Sequence, residues 1–497
     1  MAVVNERPNL ARKVQKGALW SGANTVLMRL ATIAITAVVV RIVSPEDFGV
    51  FAVAATVFTV VSSFGELGMS SCLARRDMDP KTIAPTVTLI SLASGAALAT
   101  LMAVTAAPLA IALGAPDADS AIRVLSLCIL LGGLFTVPSS LLVRDFRQGR
   151  IFLANIIAFV PSNLLLVVLA LHGNGAMAFA WSRLFGTAIV GITMLVSVKR
   201  YWPGLDRTQV LPVLRFGLPL AGANLLNYTL LNADYVFVGR QMGAALLGIY
   251  VLAYNVASWP TSVLAGTINS VAMPAFSRFQ GDRAGLRDSL ESSLRIVSFI
   301  AFPICAMTLA LASQIVATLY GEQWNASAPI LMILAVYGGI FIVTLLFANM
   351  LVGIGRAGKL FLVQFFWILA LIPTMWFGVH IAGLTGAALA HIAIILAVAL
   401  PLYAWALNSV VHELLRLLIR GSALLMAASA LAGFAAWLVN RGITNPTIGL
   451  IVGGAVGGCV YAILALPFMR RHLTIESEQR LAGILRIYDR TLRRTTR

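Results

Sequence analysis

Read with a window of about twenty residues, the length that crosses a bilayer as a helix, the chain divides into apolar stretches. They lie at 18–40, 48–72, 82–113, 121–143, 151–171, 176–198, 213–239, 246–275, 293–319, 327–354, 360–380, 384–407, 421–439 and 447–468. The pattern predicts an all-α polytopic membrane protein with about fourteen transmembrane helices. The connections are short, which leaves no room for a catalytic outer domain or a cytosolic nucleotide-binding domain. The first run follows Arg7, Arg12, Lys13 and Lys16 as the core of a signal peptide would. It is too long for that core and lacks a small-residue cleavage site, so it reads as span 1.

The apolar pattern also repeats. Ser21-Gly22-Ala23-Asn24 matches Ala221-Gly222-Ala223-Asn224 at an offset of 200. Arg41, Phe48-Gly49-Val50-Phe51 and Ala54 match Arg240, Leu247-Gly248-Ile249-Tyr250 and Ala253 at an offset of 199. Six spans therefore resemble the next six. Because six is even, both copies enter the membrane in the same direction, and a pseudo-twofold along the membrane normal is expected. The organisation that follows is a basic cytoplasmic N-terminus (1–17), an N-lobe of spans 1–6 (18–198), a cytoplasmic linker (199–212), a C-lobe of spans 7–12 (213–407), two extra spans (408–468) and a basic tail (469–497). In the tail Leu481, Ile484, Leu485, Tyr488 and Leu492 recur at helical spacing among arginines, as in an amphipathic helix lying on the inner surface.

Composition agrees with a membrane protein: 59% of the 497 residues are hydrophobic and 11% charged. The net charge of +17 has no soluble basic surface to occupy, so the partner it implies is anionic membrane lipid, not nucleic acid. With the N-terminus in the cytoplasm, thirty Lys and Arg fall on inner segments and four on outer ones, Arg41, Arg123, Arg240 and Arg441. That alternation predicts cytoplasmic termini at both ends. Cys72, Cys128, Cys305 and Cys459 lie far apart, which disfavours a disulfide framework or a metal site. The five histidines form no catalytic or metal-binding motif, and Asp77-Met78-Asp79 reads as a solvated basic loop. Gly453, Gly454, Gly457 and Gly458 in span 14 read as close-packing positions.

Charge inside a span is costly and marks a functional candidate. Arg29 lies about 18 Å into span 1 at 1.5 Å per residue, near mid-bilayer; Glu66, Arg183 and Asp234 lie in spans 2, 6 and 7. Two readings stand for these charges: internal ion pairs, such as Arg29 with Glu66, or the lining of a hydrated cavity. The cavity reading rests on polar stripes. In span 1 Ser21, Thr25, Arg29, Thr32 and Thr36 share an arc of about 80°, and Thr56, Thr59, Ser63, Glu66 and Ser70 repeat the design in span 2. Asn224, Asn227, Tyr228, Asp234 and Tyr235 do so in span 7, and Tyr250, Tyr254, Ser258 and Thr261 in span 8. A cavity of this kind would be lined by Asn24, Thr25, Thr32, Glu66, Asn224, Asn227, Tyr228 and Tyr254, with Arg41 and Arg240 at its mouth. Asp234 is the acidic candidate for ion coupling: dehydration favours its neutral form, a nearby arginine its anion, and both outcomes stay open.

The stretches KGALWSGANTV, VVVRIVSPEDFGVFAVA, FGELGMSSCLARR and NADYVFVGRQMGAALLGIYVLAYNV resemble the polysaccharide transporter family. These are the Wzx-type and colanic-acid-exporter-like flippases of the multidrug/oligosaccharidyl-lipid/polysaccharide exporter superfamily. The resemblance implies a transporter, not an enzyme, that needs no cofactor. It would carry polyprenyl-pyrophosphate-linked oligosaccharide across a bacterial inner membrane for surface polysaccharide or lipopolysaccharide assembly. It would act as a monomer, alone or beside polysaccharide polymerase and export machinery. Arg29, Arg41, Arg183 and Arg240 would then meet the diphosphate, which suits the paired donors of a guanidinium. The competing readings are a multidrug or toxin cation antiporter of the same superfamily and a membrane-embedded glycan polymerase or ligase.

Overall fold

The computed structural model describes residues 31–65, 80–199, 201–262, 282–411 and 413–466, with single positions 27, 28, 73, 264, 265, 268, 276, 277 and 279. Among these the regular structure is helical throughout. In chain order the helices are α1 (31–39), α2 (Pro45–Gly65), α3 (Pro80–Val104), α4 (Ala106–Ala112), α5 (Ala118–Arg144), α6 (Gln148–Leu171) and α7 (Gly175–Ser197). The second half follows with α8 (Arg207–Met242), α9 (Ala244–Ala257), α10 (Arg283–Ala310), α11 (Ala312–Leu319), α12 (Ser327–Gly353) and α13 (Ala357–Ile394). A π-turn at Ile395–Ala399 leads into α14 (Leu400–Leu407), followed by α15 (Leu414–Asn440) and α16 (Pro446–Leu466).

Ten helices among the described residues are long and apolar enough to cross a membrane. One of these runs, Ala357–Leu407, contains two of the expected spans. They meet at a kink where Gly383 takes φ +55°, a backbone conformation that costs glycine little. Short polar signals start several helices. Ser44 caps α2, accepting from the Asp47 N–H at 3.1 Å and donating to its carboxylate at 2.7 Å. Asp206 caps α8, so that helix begins at Arg207, and Asn445 accepts from the N–H groups of Thr447 and Ile448 at the start of α16.

The chain forms two compact units. The first runs to Val256 and takes in Leu319–Ile330 and Gln364–Ile394; the second holds Ala257–Thr318, Leu331–Val363 and the residues from Ile395 on. In the first unit α5 packs on α3 and α7, α6 packs on α7, and α2 lies against α5 and α8. Here the repeat becomes a physical contact. A Cβ on Gly49 would overlap the carbonyl of Ala244, and a Cβ on Gly248 would overlap that of Pro45. Each glycine thus meets the repeat counterpart of the residue the other meets, as a twofold-related contact requires.

In the second unit α10 packs along α15. Gly433 of α15 lies against the Ala306 carbonyl, and Gly457 of α16 against Met307. Only one face of α16 fits the close-packing expectation. Gly449 and Gly453 abut Asn440, whereas a Cβ at Gly454 or Gly458 would meet nothing within 4 Å.

Candidate functional site

The candidate site grows from the corner between α8 and α9. Asp234 sits in the second half of α8 and is buried to 1% exposure. A carboxylate so buried must be met by donors. Its Oδ1 accepts the Tyr235 N–H at 3.0 Å, and its Oδ2 accepts the Tyr250 hydroxyl at 3.0 Å. The third partner comes from far along the chain: His391 Nε2 lies 3.3 Å from the same Oδ2 and 3.1 Å from Tyr250 Oη. One carboxylate oxygen, one phenol and one imidazole nitrogen form a closed triangle inside the first unit.

Aromatic rings seal this triangle. Tyr235 stands edge-on to Tyr250 and Tyr254 at 6.2 and 5.8 Å between centroids, and Tyr254 lies 6.0 Å from the His391 ring. Four residues past His391 the helix widens into the π-turn Ile395–Ala399, a local deformation that recurs at functional positions in helices.

The other sequence candidates are placed unevenly. Arg29, Asn24, Thr25 and Glu66 lie outside the described residues, as do the side chains of Asn224 and Asn227. Thr32 is exposed and donates to the Met28 carbonyl at 2.7 Å. In the span 2 stripe, Thr56, Thr59 and Ser63 also donate to carbonyls of their own helix, at 2.8, 2.7 and 2.6 Å. Arg183 of α7 is exposed and stacks its guanidinium 4.4 Å above the Phe58 ring of α2. Arg41 is exposed and donates Nε to the Leu319 carbonyl at 3.0 Å. Arg240 is exposed in the last turn of α8, and Tyr228 is 38% exposed.

Among the described residues the side-chain partners of Asp234 are therefore Tyr250 and His391, with no arginine against it. His391 is the residue that motif reading passed over. The signal that finds it is the one applied to the other charges, a titratable residue inside an apolar run, here 384–407.

The helices follow the architecture of a solved lipid II flippase, MurJ in an inward closed conformation. The TM-score is 0.76 at 16% identity, over 92% of this chain and 99% of that one. An inward-facing multidrug resistance MATE family transporter of the MOP superfamily matches with a TM-score of 0.57 at 18% identity, over 79% and 94% of the two chains. At such identities the likeness is one of fold: this is a multi-pass membrane protein that shares that helical architecture. The chain belongs to the family described as polysaccharide biosynthesis protein, matched over residues 38–329. It is 30% identical to the succinoglycan biosynthesis transport protein ExoT of Rhizobium meliloti (strain 1021), over 92% of this chain and 93% of the relative. To the lipopolysaccharide biosynthesis protein WzxC of Escherichia coli (strain K12) it is 26% identical over 77% and 78%. The family expected from the sequence is the family found.

Proposed function

We propose that the protein flips polyprenyl-pyrophosphate-linked oligosaccharide from the inner to the outer leaflet of a bacterial inner membrane, by alternating access between its two repeat-related lobes. Likeness to a succinoglycan transport protein along nearly the whole chain supports the cargo class and favours it over a cationic drug. In this reading fourteen spans divide into lobes at 18–198 and 213–407 with an extra pair at 408–468. Both termini are cytoplasmic, and the basic inner connections rest on anionic lipid. Arg29, Arg41, Arg183 and Arg240 receive the diphosphate, and the polar residues of the spans receive the glycan.

The observation that carries the energetic half of the proposal is the buried triangle of Asp234, Tyr250 and His391. Its ligand atoms are one carboxylate oxygen, one phenol and one imidazole nitrogen, a poor shell for a hard cation that wants several oxygens. A proton suits it. With the proton bound, imidazolium and carboxylate neutralise each other; without it a buried anion remains, held by Tyr250 and Tyr235. The two states differ in electrostatic cost, so the proton biases which conformation the lobes adopt.

Deleting the gene should cause a lipid-linked sugar to accumulate on the inner leaflet, and the native protein should clear it. Asp234→Asn and His391→Leu, expressed to native levels, should bind cargo without flipping it. In liposomes, native transport should collapse when the proton gradient is dissipated. Full transport by both variants, or indifference to the gradient, overturns the coupling role; a deletion strain with no trapped lipid-linked sugar overturns the cargo.

A further inference from the structure

Span 1 ends at a place where the chain leaves backbone carbonyls without helical partners, as every helix C-terminus does. At the end of α1 these carbonyls are met from nearly three hundred residues away. Trp324 Nε1 donates to the Val40 carbonyl at 2.8 Å, and Gln323 Nε2 donates to the same oxygen at 3.0 Å and to the Val43 oxygen at 3.4 Å. The exchange is reciprocal. Arg41, in the turn after α1, donates Nε to Leu319, the last residue of α11. Two helix ends, one from each half of the repeat, thus cap each other inside the first unit.

Trp324 is more than a donor. It is fully buried, standing edge-on to Phe48 at 5.7 Å, and Phe48 in turn meets Phe179, which stacks on Phe51 at 4.8 Å. A second-half residue therefore fills an aromatic pocket built by α2 and α7 of the first half. The segment that carries it begins at Gly321, with φ +97°, and tightens into one turn of 3₁₀-helix. Its other end is tied to the titratable triangle: the buried Ser327 hydroxyl donates to the Ile249 carbonyl at 2.9 Å, and Ile249 immediately precedes Tyr250.

We propose that the segment from Gly321 to Ser327 is a latch, with Trp324 as its tongue, holding shut the end of the molecule where α1 turns into α2 and α8 into α9. Several features make it releasable. The capped carbonyls sit at a helix terminus, where water can replace Gln323 and the indole once the halves part, so opening leaves no backbone group unsatisfied. Ser327 and Ile249 connect the triangle to the tongue, because any shift of Tyr250 carries with it the Ile249 carbonyl that anchors the latch. The latch goes beyond the cargo and the coupling ion, because it names what keeps this side closed.

A labelling experiment tests it without any transport assay. Val53 of α2 is 2% exposed and packs against Gly239 of α8, so it becomes accessible only if that contact parts. In the full-length protein freed of its four cysteines, Val53→Cys in oriented membrane vesicles is exposed to an impermeant maleimide. Asn325→Cys, at an exposed position, marks the latch side in parallel vesicles. Trp324→Phe keeps a ring but loses the donor, and Gln323→Ala changes an exposed residue; each should speed labelling of Val53→Cys from the latch side about five-fold, the weight of one hydrogen bond. Trp324→Ala, which also empties the aromatic pocket, should speed it by more than about ten-fold. Unchanged rates in Trp324→Phe and Gln323→Ala, at native abundance and thermal stability, overturn the latch, and so does acceleration seen only from the opposite side. Because no cargo is present, failure here leaves the transport reading standing, and failure of transport leaves this result intact.

Discussion

The repeat places the same helical corner in the molecule twice, and the two copies are built from different chemistry. At the offset of 199, Asp234 corresponds to Ile35 and Tyr250 to Phe51. Ala388-Leu389-Ala390-His391 lines up with Ala178-Phe179-Ala180-Trp181 at an offset of 210, the same offset that relates the positive-φ glycines Gly173 and Gly383. In the first copy Phe51 stacks on Phe179, a contact held by dispersion and area burial. In the second, the corner is held by a carboxylate, a phenol and an imidazole. In the proposed coupling role the two copies of one shape divide the work: one is a fixed scaffold and the other can change its charge.

The sharpest way to break this comparison is to remove the imidazole. His391→Leu leaves Asp234 buried without that partner and should cost about 3–5 kcal/mol of stability, the usual result of stripping one side of a buried pair, read as a drop in thermal unfolding temperature in detergent. Adding Asp234→Asn should restore most of that stability and none of the proton-dependent transport. Equal stability of the native protein and His391→Leu would remove the distinction between the copies.

Next comes the phenol. Tyr250→Phe turns the second copy toward the first and should cost about 1.5–3 kcal/mol, the range for a hydrogen bond to a charged group. The reverse change, Phe51→Tyr, adds a hydroxyl where no carboxylate waits and should shift stability by less than about 1 kcal/mol. A larger loss from Phe51→Tyr than from Tyr250→Phe would reverse the assignment of scaffold and charge-changing copy.

The glycine crossing should behave in the opposite way, because there the copies are equivalent. Gly49→Ala and Gly248→Ala each drive a methyl group into a backbone carbonyl and should cost about 1–3 kcal/mol, equal to each other within experimental error. Unequal losses would mean that the contact is not symmetric in solution.

The smallest effect is expected at Asp206, away from the corner. Its carboxyl is held below the ordinary range, chiefly by the Thr208 hydroxyl at 2.6 Å and then by the Thr208 N–H at 3.0 Å. The ionised form is thus favoured by folding. The benefit should be complete above the unfolded value of about 3.9 and lost as pH falls through the lower folded value. Asp206→Ala should therefore lower the unfolding temperature slightly at neutral pH, and the difference from native should fade on strong acidification.

Much of the architecture was legible in the sequence, because bilayer-spanning helices announce themselves locally. Runs of apolar residues, alternation of positive charge and a repeat offset all need only neighbours along the chain. The equivalence of Gly49 and Gly248 follows from that offset, and Asp234 was visible as a charge in an expected span; the reciprocal contact of the two glycines came only from the structure. Other features had no local signature. The hydroxyls of Thr56 and Ser63 look alike in sequence whether they line water or bond back to their own helix, and the structure commits them to the helix. His391 lies 157 residues from Asp234, and Trp324 lies 284 from Val40. Periodicity says which face of a helix is polar, but which residue of another helix meets that face depends on crossing angle, depth and rotation, and these are set by the packing of all the helices together. The sequence by itself determined apolar helices, their repetition and one acid within a span; only the tertiary structure decided that this acid is buried against a distant histidine and that a tryptophan donates to the far end of span 1.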